Sequence, residues 1–283
     1  MSENIENTVS TEETEKKEKK GIVQSTLKFV AIGTMFIDHF GASIVERYLN
    51  YNEVSVSMNK VMEMHDQFPS LFPLLMTYYV MRLIGRIAFP IFIFCLVDGY
   101  HHTRNVKKYI LRLGIFALIS EVPFDMALRK SYFDFAYQNV YFTMTLGMIT
   151  IWALDSFTKK APSVIGKKYD NPTTVNLLVG GGKFLIIMVM CVVAVLLKTD
   201  YNAVGVMAIA VAYLLWDKSM FLAHVGCCGV LTCCMPIEFT CFIALPLIAK
   251  YNGQRGFKHK YFFYLFYPIH LLLLGLACLY LGI

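Results

Sequence analysis

The stretch that decides the fold is residues 84–103, which read IGRIAFPIFIFCLVDGYHHT. This run is apolar enough to span a bilayer as a helix. Arg86 nevertheless lies near its start, and Arg82 precedes it by four residues on the same helical face. A charge near the centre of a membrane is costly, so it usually faces a partner or a water-filled cavity. The two arginines therefore predict a polar site inside a helical bundle.

Composition indicates an integral membrane protein. Of the 283 residues, 57% are hydrophobic and 16% are charged, and the mean hydropathy is +0.53. An ordinary soluble domain is roughly 45–50% apolar and about 25% charged. The formal charge of +6 belongs to the loops and bears on topology rather than on nucleic-acid binding. We predict an all-α, polytopic integral membrane helical bundle that contacts lipids and no nucleic acid.

Apolar runs predict about nine transmembrane helices. These runs cover residues 27–49, 71–100, 109–128, 138–157, 183–198, 201–216, 220–234, 237–250 and 262–281. Lys and Arg cluster in alternate loops, which predicts a cytoplasmic N-terminus and an outward C-terminus. The second run is long and is expected to tilt, to kink at Pro90 or to begin as an interfacial helix. Spans seven and eight are short, and a re-entrant hairpin is an alternative for them.

The regions outside the spans are polar. Residues 1–25 predict a disordered, charged cytoplasmic tail, and residues 26–283 predict the transmembrane domain. Residues 159–182, with four lysines, predict the longest inner loop. The eight cysteines all fall in apolar runs without the spacing of a zinc site. We interpret them as packing residues and predict no metal.

His39 is the first candidate for chemistry. It lies halfway along the first span, and histidine can act as a general base near neutral pH. Asp38 points to another helical face and is expected to pair with a different span. His270 follows a Tyr-Pro pair in the last span and is expected at the same depth as His39. The alternative is a neutral histidine that is hydrogen-bonded inside the bundle.

The two arginines of the second span need partners. Arg82 and Arg86 are expected to pair with Asp38, Glu121 or Asp125. Glu121 enters from the opposite side and reaches a comparable depth, which favours an Arg–Glu bridge. Such a bridge would frame a polar cavity.

A basic turn follows the second span. It carries Arg104, Lys107 and Lys108, and Arg112 follows within the third span. These cations could simply obey the positive-inside rule. Equally, they could form a phosphate seat at the cytoplasmic mouth for a nucleotide-bearing cofactor.

Several motifs together resemble the TraX family. They are FIDH at 36–39, RLIGRIAFPIF at 82–92, GYHHTRN at 99–105, SEVPF at 120–124, NVYFT at 139–143 and FYLFYPIHL at 263–271. This family comprises membrane acetyltransferases named for the protein that acetylates the N-terminus of conjugative pilin. It is similar in turn to the transmembrane acyltransferases that acetylate bacterial surface sugars.

The resemblance implies transfer of acetyl from cytoplasmic acetyl-CoA. It implies His39 as the base and Asp38 as an orienting group. Arg82 or Arg86 would keep Glu121 ionised or stabilise an oxyanion. The wider acyltransferases carry a basic residue eleven positions before the histidine, and Lys28 has that spacing here.

The implied donor seat is basic. Lys108 and Arg112 resemble residues that engage the coenzyme in the wider acyltransferases, and the cationic mouth as a whole would bind its phosphates. The acceptor would be a pilin-like peptide, a glycan or a lipid. The implied location is the bacterial plasma membrane.

Two other functions fit the intramembrane charges. One is a proton-coupled secondary transporter in which His39, Arg82, Glu121 and His270 form a relay. The other is a non-catalytic assembly protein that keeps the fold. The cationic mouth and the absence of an evident internal repeat favour the acyltransferase.

Overall fold

The computed structural model describes residues 20–257 and 259–283, and in these ranges the chain is built from helices. Extended pairing in the described part is confined to two isolated bridges between single residues. The all-α prediction is therefore confirmed. Most of the predicted charged tail, residues 1–19, lies outside the described residues, and the first helix begins at Gln24.

Short connections join successive helices. The first half contains α1 (Gln24–Phe40), a π-helical segment (Gly41–Val45), α2 (Glu46–Tyr51), a 3-10 turn (Met58–Lys60), α3 (Val61–Gln67), α4 (Phe72–Gly85), α5 (Ala88–His102), α6 (Val106–Phe124) and a second π-helical segment (Asp125–Arg129). The second half contains α7 (Val140–Ile165), α8 (Pro172–Leu196), α9 (Asn202–Trp216), α10 (Met220–Cys234), a 3-10 segment (Pro236–Ile243), α11 (Ala244–Ala249) and α12 (Lys260–Leu281).

Side-chain caps fix the start of several helices. Asn105 accepts from the Lys108 N–H at 2.9 Å at the start of α6, and Asn139 accepts from the Tyr141 N–H at 3.1 Å at the start of α7. Asn171 caps α8, with a proline at the first helical position. Each cap satisfies a backbone donor that the helix itself leaves without a partner.

Five helical stretches of the described residues are long and apolar enough to cross a membrane. They are Gln24–Tyr51, Phe72–His102, Val140–Ile165, Pro172–Leu196 and Tyr261–Leu281. Shorter apolar helices cover Asn202–Trp216, Met220–Cys234 and Pro236–Ala249. Helix α6 is as long as a span but carries four charged side chains. The predicted count of nine spans and the orientation of the N-terminus remain predictions.

The outward face of α8 is apolar. Leu177, Phe184 and Leu196 are 75%, 65% and 74% exposed. Leaving such a surface in water would forfeit roughly 25 cal/mol for each Å² of apolar area. Lipid removes this cost. Together with the five long apolar stretches, this surface defines a helical membrane protein.

One predicted boundary was wrong. Residues 159–182 are not a long loop, because α7 continues to Ile165 and α8 begins at Pro172. Lys159 and Lys160 lie near the end of α7, and Lys167 and Lys168 lie in the short turn that follows it. The segment predicted as the eighth span, 237–250, is helical over Pro236–Ala249, but as a 3-10 segment followed by the six-residue α11. Pro236 and Pro246 lack the N–H that a continuous α-helix needs.

The second apolar run, for which a kink at Pro90 was one of three expectations, is broken one turn before this proline. The break lies at Arg86 and Ile87, whose N–H groups donate to residues three positions earlier. Pro90 has no N–H for the Arg86 carbonyl, so the helical ladder fails one turn before the proline. The Thr240 hydroxyl donates to the Leu83 carbonyl at 2.8 Å. This bond holds the 3-10 segment Pro236–Ile243 against the break.

A buried arginine joins the first and third apolar runs. Arg47 is 6% exposed, and its Nη2 donates to the carbonyls of Met126 and Ala127 at 2.6 and 2.8 Å. Both carbonyls belong to the π-helical segment Asp125–Arg129, where the regular α-helical bonding pattern is interrupted. Arg47 therefore satisfies backbone groups of a segment that borders the interior of the bundle.

Replacing Arg47 should destabilise the protein. Arg47→Ala leaves two buried carbonyls without this donor, which typically costs about 1–3 kcal/mol for each unsatisfied group. We expect a clearly lower unfolding temperature for the detergent-solubilised protein in a thiol-reactive dye assay. Lys167→Ala, which removes an exposed cation, serves as the control and should leave the unfolding temperature unchanged. Equal melting of both variants would contradict the role given to Arg47.

Candidate functional site

A small charged cavity lies within the bundle. It has a volume of about 250 Å³, and we call it the ion-pair cavity. Its titratable side chains include those of Asp38, His39, Glu46, Arg82, Arg86, Arg129, Tyr137, Asp200 and Tyr201. The predicted catalytic residues Asp38, His39, Arg82 and Arg86 are thus brought together.

A larger cavity adjoins it. This one has a volume of about 1000 Å³ and is lined by Lys28, Arg104, Arg112 and Arg255, so we call it the basic cavity. Four residues line both cavities and form what we call the shared wall: Met35, Phe92, Val140 and Tyr267. The two cavities therefore meet at one level of the bundle.

One face of α5 runs along both cavities. Phe89 lines the ion-pair cavity, Phe92 lines both, and Cys95 and Gly99 line the basic cavity. The steps of three and four residues keep these positions on one helical face. Residues 84–103 thus form a continuous side of the interior.

Helices α1 and α12 cross from one cavity to the other at the same level. On α1, Lys28 lines the basic cavity, Met35 lines both, and His39 lines the ion-pair cavity. On α12, Tyr264 lines the basic cavity and Tyr267 lines both. Both helices therefore place their histidines just beyond the shared wall.

Each arginine of the broken helix has its own carboxylate. Arg82 Nη1 lies 2.9 Å from Asp38 Oδ2, so the predicted pairing of Asp38 with another span is confirmed. Arg86 Nε lies 3.2 Å from Oε1 of Glu238, whose side chain is fully buried. Glu238 was not predicted, because it was assigned to the connection between two short spans. Paired in this way, the two arginines can stay charged in the interior.

The predicted bridge from the arginines to Glu121 was wrong. Glu121 instead accepts a short hydrogen bond from the Asn139 amide, which also donates to the Ala117 carbonyl at 2.8 Å. Asp125 likewise pairs elsewhere and accepts from the Asp134 N–H at 2.7 Å. Since Glu121 lines neither cavity, its contacts join α6 to the start of α7.

His39 and His270 form a direct pair. His39 Nδ1 lies 2.7 Å from His270 Nε2, and the rings stack with a centroid distance of 5.0 Å and an interplanar angle of 4°. The prediction that both histidines reach one depth is confirmed. His270 is 4% exposed, whereas His39 is less buried and lines the ion-pair cavity.

The hydrogen bonds of the neutral pair fix its tautomers. His270 Nδ1 lies 2.7 Å from the Phe266 carbonyl, which can only accept. His270 Nδ1 therefore carries the proton, and its Nε2 must accept from His39 Nδ1. The lone pair of His39 then resides on Nε2. In this arrangement, His270 orients the His39 ring, and His39 Nε2 can accept a proton.

The wall of the basic cavity contains a chain of polar contacts. Gln24 Nε2 donates to the buried Asp98 at 2.6 Å, and Lys28 Nζ donates to Gln24 Oε1 at 2.8 Å. The Tyr251 hydroxyl also donates to Asp98 at 3.3 Å. Lys28 is therefore held at the cavity by α1 itself and, through Gln24, by α5.

Two further arginines line the basic cavity from different elements. Arg112 on α6 lies between the rings of Tyr109 and Tyr264, at 5.0 and 5.1 Å from their centroids. Arg255 donates to the His102 carbonyl at 3.3 Å. Arg255 was not predicted as a site residue. Arg104 is exposed at the same cavity.

Two predicted cofactor contacts lie elsewhere. Lys107 and Lys108 are exposed and line neither cavity, and Lys107 Nζ lies 6.0 Å from the centroid of the Trp152 ring. Lys108 shares a helical face with Arg112, four residues later, but it lies one turn nearer the exposed start of α6. The basic turn therefore contributes Arg104 to the cavity.

The turn between α8 and α9 was missed as a site element. Lys198, Tyr201 and Asn202 have φ of 52°, 60° and 43°, a left-handed conformation that costs energy in non-glycine residues. It turns Asp200 into the ion-pair cavity, where the Tyr137 hydroxyl donates to its carboxylate at 2.8 Å. A two-residue connection between apolar runs gave no signal that its side chains point inward.

A loop closes one side of the ion-pair cavity. Arg129 lines this cavity and pairs with Asp134 at 3.1 Å. The Ala136 N–H and the Arg129 guanidinium lower the pKa of the Asp134 carboxyl, which lies outside the membrane-spanning segments. Asp134 is therefore ionised at neutral pH and keeps Arg129 at the cavity.

Fold and site define a class, a helical membrane protein in which a charged cavity and a basic cavity meet. The family described as TraX protein matches residues 23–278, and the chain belongs to this family. A relative is the probable fimbrial assembly protein FimC, serogroup H1, of Dichelobacter nodosus. It is 24% identical over 229 residues, which cover 72% of this chain and 85% of the relative. No solved structure matches the chain.

Gly85 should be essential for the Asp38–Arg82 pair. A Cβ at Gly85 would overlap the Asp38 side chain, so Gly85→Ala must displace the carboxylate from its arginine. We expect a loss of about 1–3 kcal/mol, as for other overpacked interiors. The unfolding temperature in detergent measures this loss.

Gly33→Ala is the matched control. Gly33 is also helical, but a Cβ there would meet no atom within 4 Å. This variant should be neutral or slightly stabilising, since alanine favours a helix over glycine. Equal unfolding temperatures for Gly85→Ala and Gly33→Ala would show that the close approach of Asp38 to Gly85 does not contribute to stability.

Proposed function

We propose that the protein transfers an acetyl group from acetyl-CoA to an amine or hydroxyl acceptor. The observation that carries the proposal is the position of His39. His39, whose Nε2 carries the lone pair, lines the ion-pair cavity. It also lies one helical turn beyond Met35 of the shared wall. A base at that position can act on an acceptor in one cavity while the donor approaches from the other.

The basic cavity suits the donor. Its volume of about 1000 Å³ is at the upper end of ordinary ligand sites. Lys28, Arg104, Arg112 and Arg255 offer cations for the phosphates of acetyl-CoA. Apolar side chains between these cations and the shared wall, such as Leu96, would contact the rest of the donor. The thioester would then reach the shared wall.

The transfer balances with one base. His39 Nε2 takes the proton from the acceptor N–H or O–H, and the nitrogen or oxygen attacks the thioester carbonyl carbon. A carbon–nitrogen or carbon–oxygen bond forms and the carbon–sulfur bond breaks. The thiolate of coenzyme A then takes the proton from His39. Neither an oxidant nor a further reactant is needed.

Arg86 is our choice for stabilising the oxyanion that develops on the thioester carbonyl. It lines the ion-pair cavity together with Phe89, which lies one turn before Phe92 of the shared wall on α5. A preorganised cation stabilises developing negative charge strongly where water is excluded. Glu238 holds the guanidinium from behind. Asp38 and Arg82 form a fixed pair next to His39 and keep the cavity polar.

The acceptor would enter through the ion-pair cavity. The name of the relative FimC refers to fimbrial assembly, which favours a pilin-like peptide over a glycan or a lipid as the acceptor. The proposed location is the bacterial plasma membrane, with the basic cavity open to cytoplasmic acetyl-CoA. The positive loops near this cavity agree with that orientation.

A proton-coupled transporter is the second candidate. Two cavities that are separated by four side chains are also compatible with alternating access. Proteoliposomes discriminate the two. Proton-coupled uptake without any transfer of radiolabelled acetyl would favour the transporter.

His39→Ala should abolish transfer. Loss of a general base typically lowers the rate by about 10²–10⁴-fold, while donor binding in the basic cavity should persist. The measurement is transfer of radiolabelled acetyl to an acceptor peptide in proteoliposomes, with acetyl-CoA binding followed by calorimetry.

His270→Gln distinguishes base from orienter. Glutamine retains a polar group near His39 Nδ1, so the rate should fall less than in His39→Ala. A larger loss in His270→Gln than in His39→Ala would reverse the roles given to the two histidines. Unchanged transfer in both variants would exclude the pair from the chemistry.

Arg112→Gln should weaken donor binding. Losing one charge-assisted hydrogen bond to phosphate costs about 1.5–3 kcal/mol, which corresponds to roughly tenfold or more in KM for acetyl-CoA. The value of kcat should change little, because Arg112 lies away from the histidine pair. Lys108→Gln, on the same helix but outside both cavities, is the matched control. A similar KM in both variants would move the phosphate seat elsewhere.

A further inference from the structure

We infer that the shared wall (Met35, Phe92, Val140 and Tyr267) selects the length of the acyl group. This inference rests on the proposed function. The four side chains form the only set that lines both cavities among those described, so an acyl group that reaches His39 from the basic cavity must lie against them. The selected group would be acetyl, with longer chains excluded.

Phe92 is the central residue of the shared wall. It packs against three separate clusters of buried apolar side chains, yet it is itself only partly buried. A side chain surrounded by core on three sides can be accessible only where it faces the cavities. Its ring therefore forms a rigid surface between them.

Met35 and Tyr267 connect the shared wall to the histidines. Met35 is 7% exposed and lies one helical turn before His39. Tyr267 is 3% exposed, and its ring contacts that of His39 edge-on at a centroid distance of 5.8 Å. An acyl carbon that is within reach of the base therefore touches both side chains.

The space beyond the shared wall is polar and must also admit the reacting end of the acceptor, which disfavours a longer acyl chain. The ion-pair cavity has a volume of about 250 Å³, and Asp38, Arg82 and Arg86 line it with their charged groups. Pushing an aliphatic chain among these groups would strip them of polar contacts, which is unfavourable. The methyl of an acetyl group, in contrast, needs only the apolar surface of the shared wall.

Methionine offers a matched pair for the test. Met35 and Met144 are 7% and 8% exposed, and both line the basic cavity. Only Met35 also lines the ion-pair cavity. Truncating either methionine to alanine should enlarge the interior to a similar extent, but only Met35→Ala creates space at the shared wall.

The experiment measures kcat/KM for acetyl-CoA, propionyl-CoA and butyryl-CoA with the full chain in proteoliposomes. Met35→Ala should raise the butyryl-to-acetyl ratio by roughly tenfold or more, as expected when a pocket gains room for one or two methylenes. Met144→Ala should leave this ratio unchanged, whatever happens to the rate. The ratio comes from one preparation, so a partly unfolded variant does not distort it.

Val140→Ala is a milder second variant and should shift the ratio in the same direction. Overlapping ratios for wild type, Met35→Ala and Val140→Ala would overturn the inference while acetyl transfer itself stands. An equal shift in Met144→Ala would also overturn it. Absence of transfer from every donor in the wild-type protein would instead remove the proposed function.

Discussion

The interior depends on charges that must be paired within an apolar bundle. Two arginines one helical turn apart would share a face in a regular helix, but here each meets a carboxylate from a different segment. Asp38 comes from α1 and Glu238 from the 3-10 segment. The break in the helix at Arg86 and Ile87 lets the two arginine side chains reach different partners. Pro90 favours this break because it lacks the N–H that the Arg86 carbonyl would accept from. The helix break, the two ion pairs and the packing of the three segments therefore depend on one another.

The arrangement gives the bundle two interiors with different chemistry. The face of α5 passes from the ion pairs, through Phe92, to the cations of the basic cavity. An anionic molecule is favoured on one side of Phe92, and a small polar group is favoured on the other. The contact of His39 with Tyr267 places the histidine pair at the boundary between the two cavities.

Much of this could be predicted from the sequence, because charges in apolar runs are conspicuous. The helical class, the polar site around the arginines, the partner for Asp38 and the common depth of His39 and His270 all followed from that signal. Glu238 and Asp200 could not be found in this way, since both lie where apolar runs end and a connection was expected. The predicted bridge from the arginines to Glu121 was wrong because the Asn139 amide, at the start of the next helix, donates to the Glu121 carboxylate.

The histidine pair also bears on which function the interior can perform. His270 Nδ1–H is held by the Phe266 carbonyl, an acceptor that cannot take up the proton. A proton that arrives at His39 Nε2 therefore has no onward path through His270 and must leave from the nitrogen at which it entered. A relay that conducts protons across a membrane needs an exit at its far end. A base that borrows a proton and returns it to a leaving group does not, so this pair suits group transfer better than conduction.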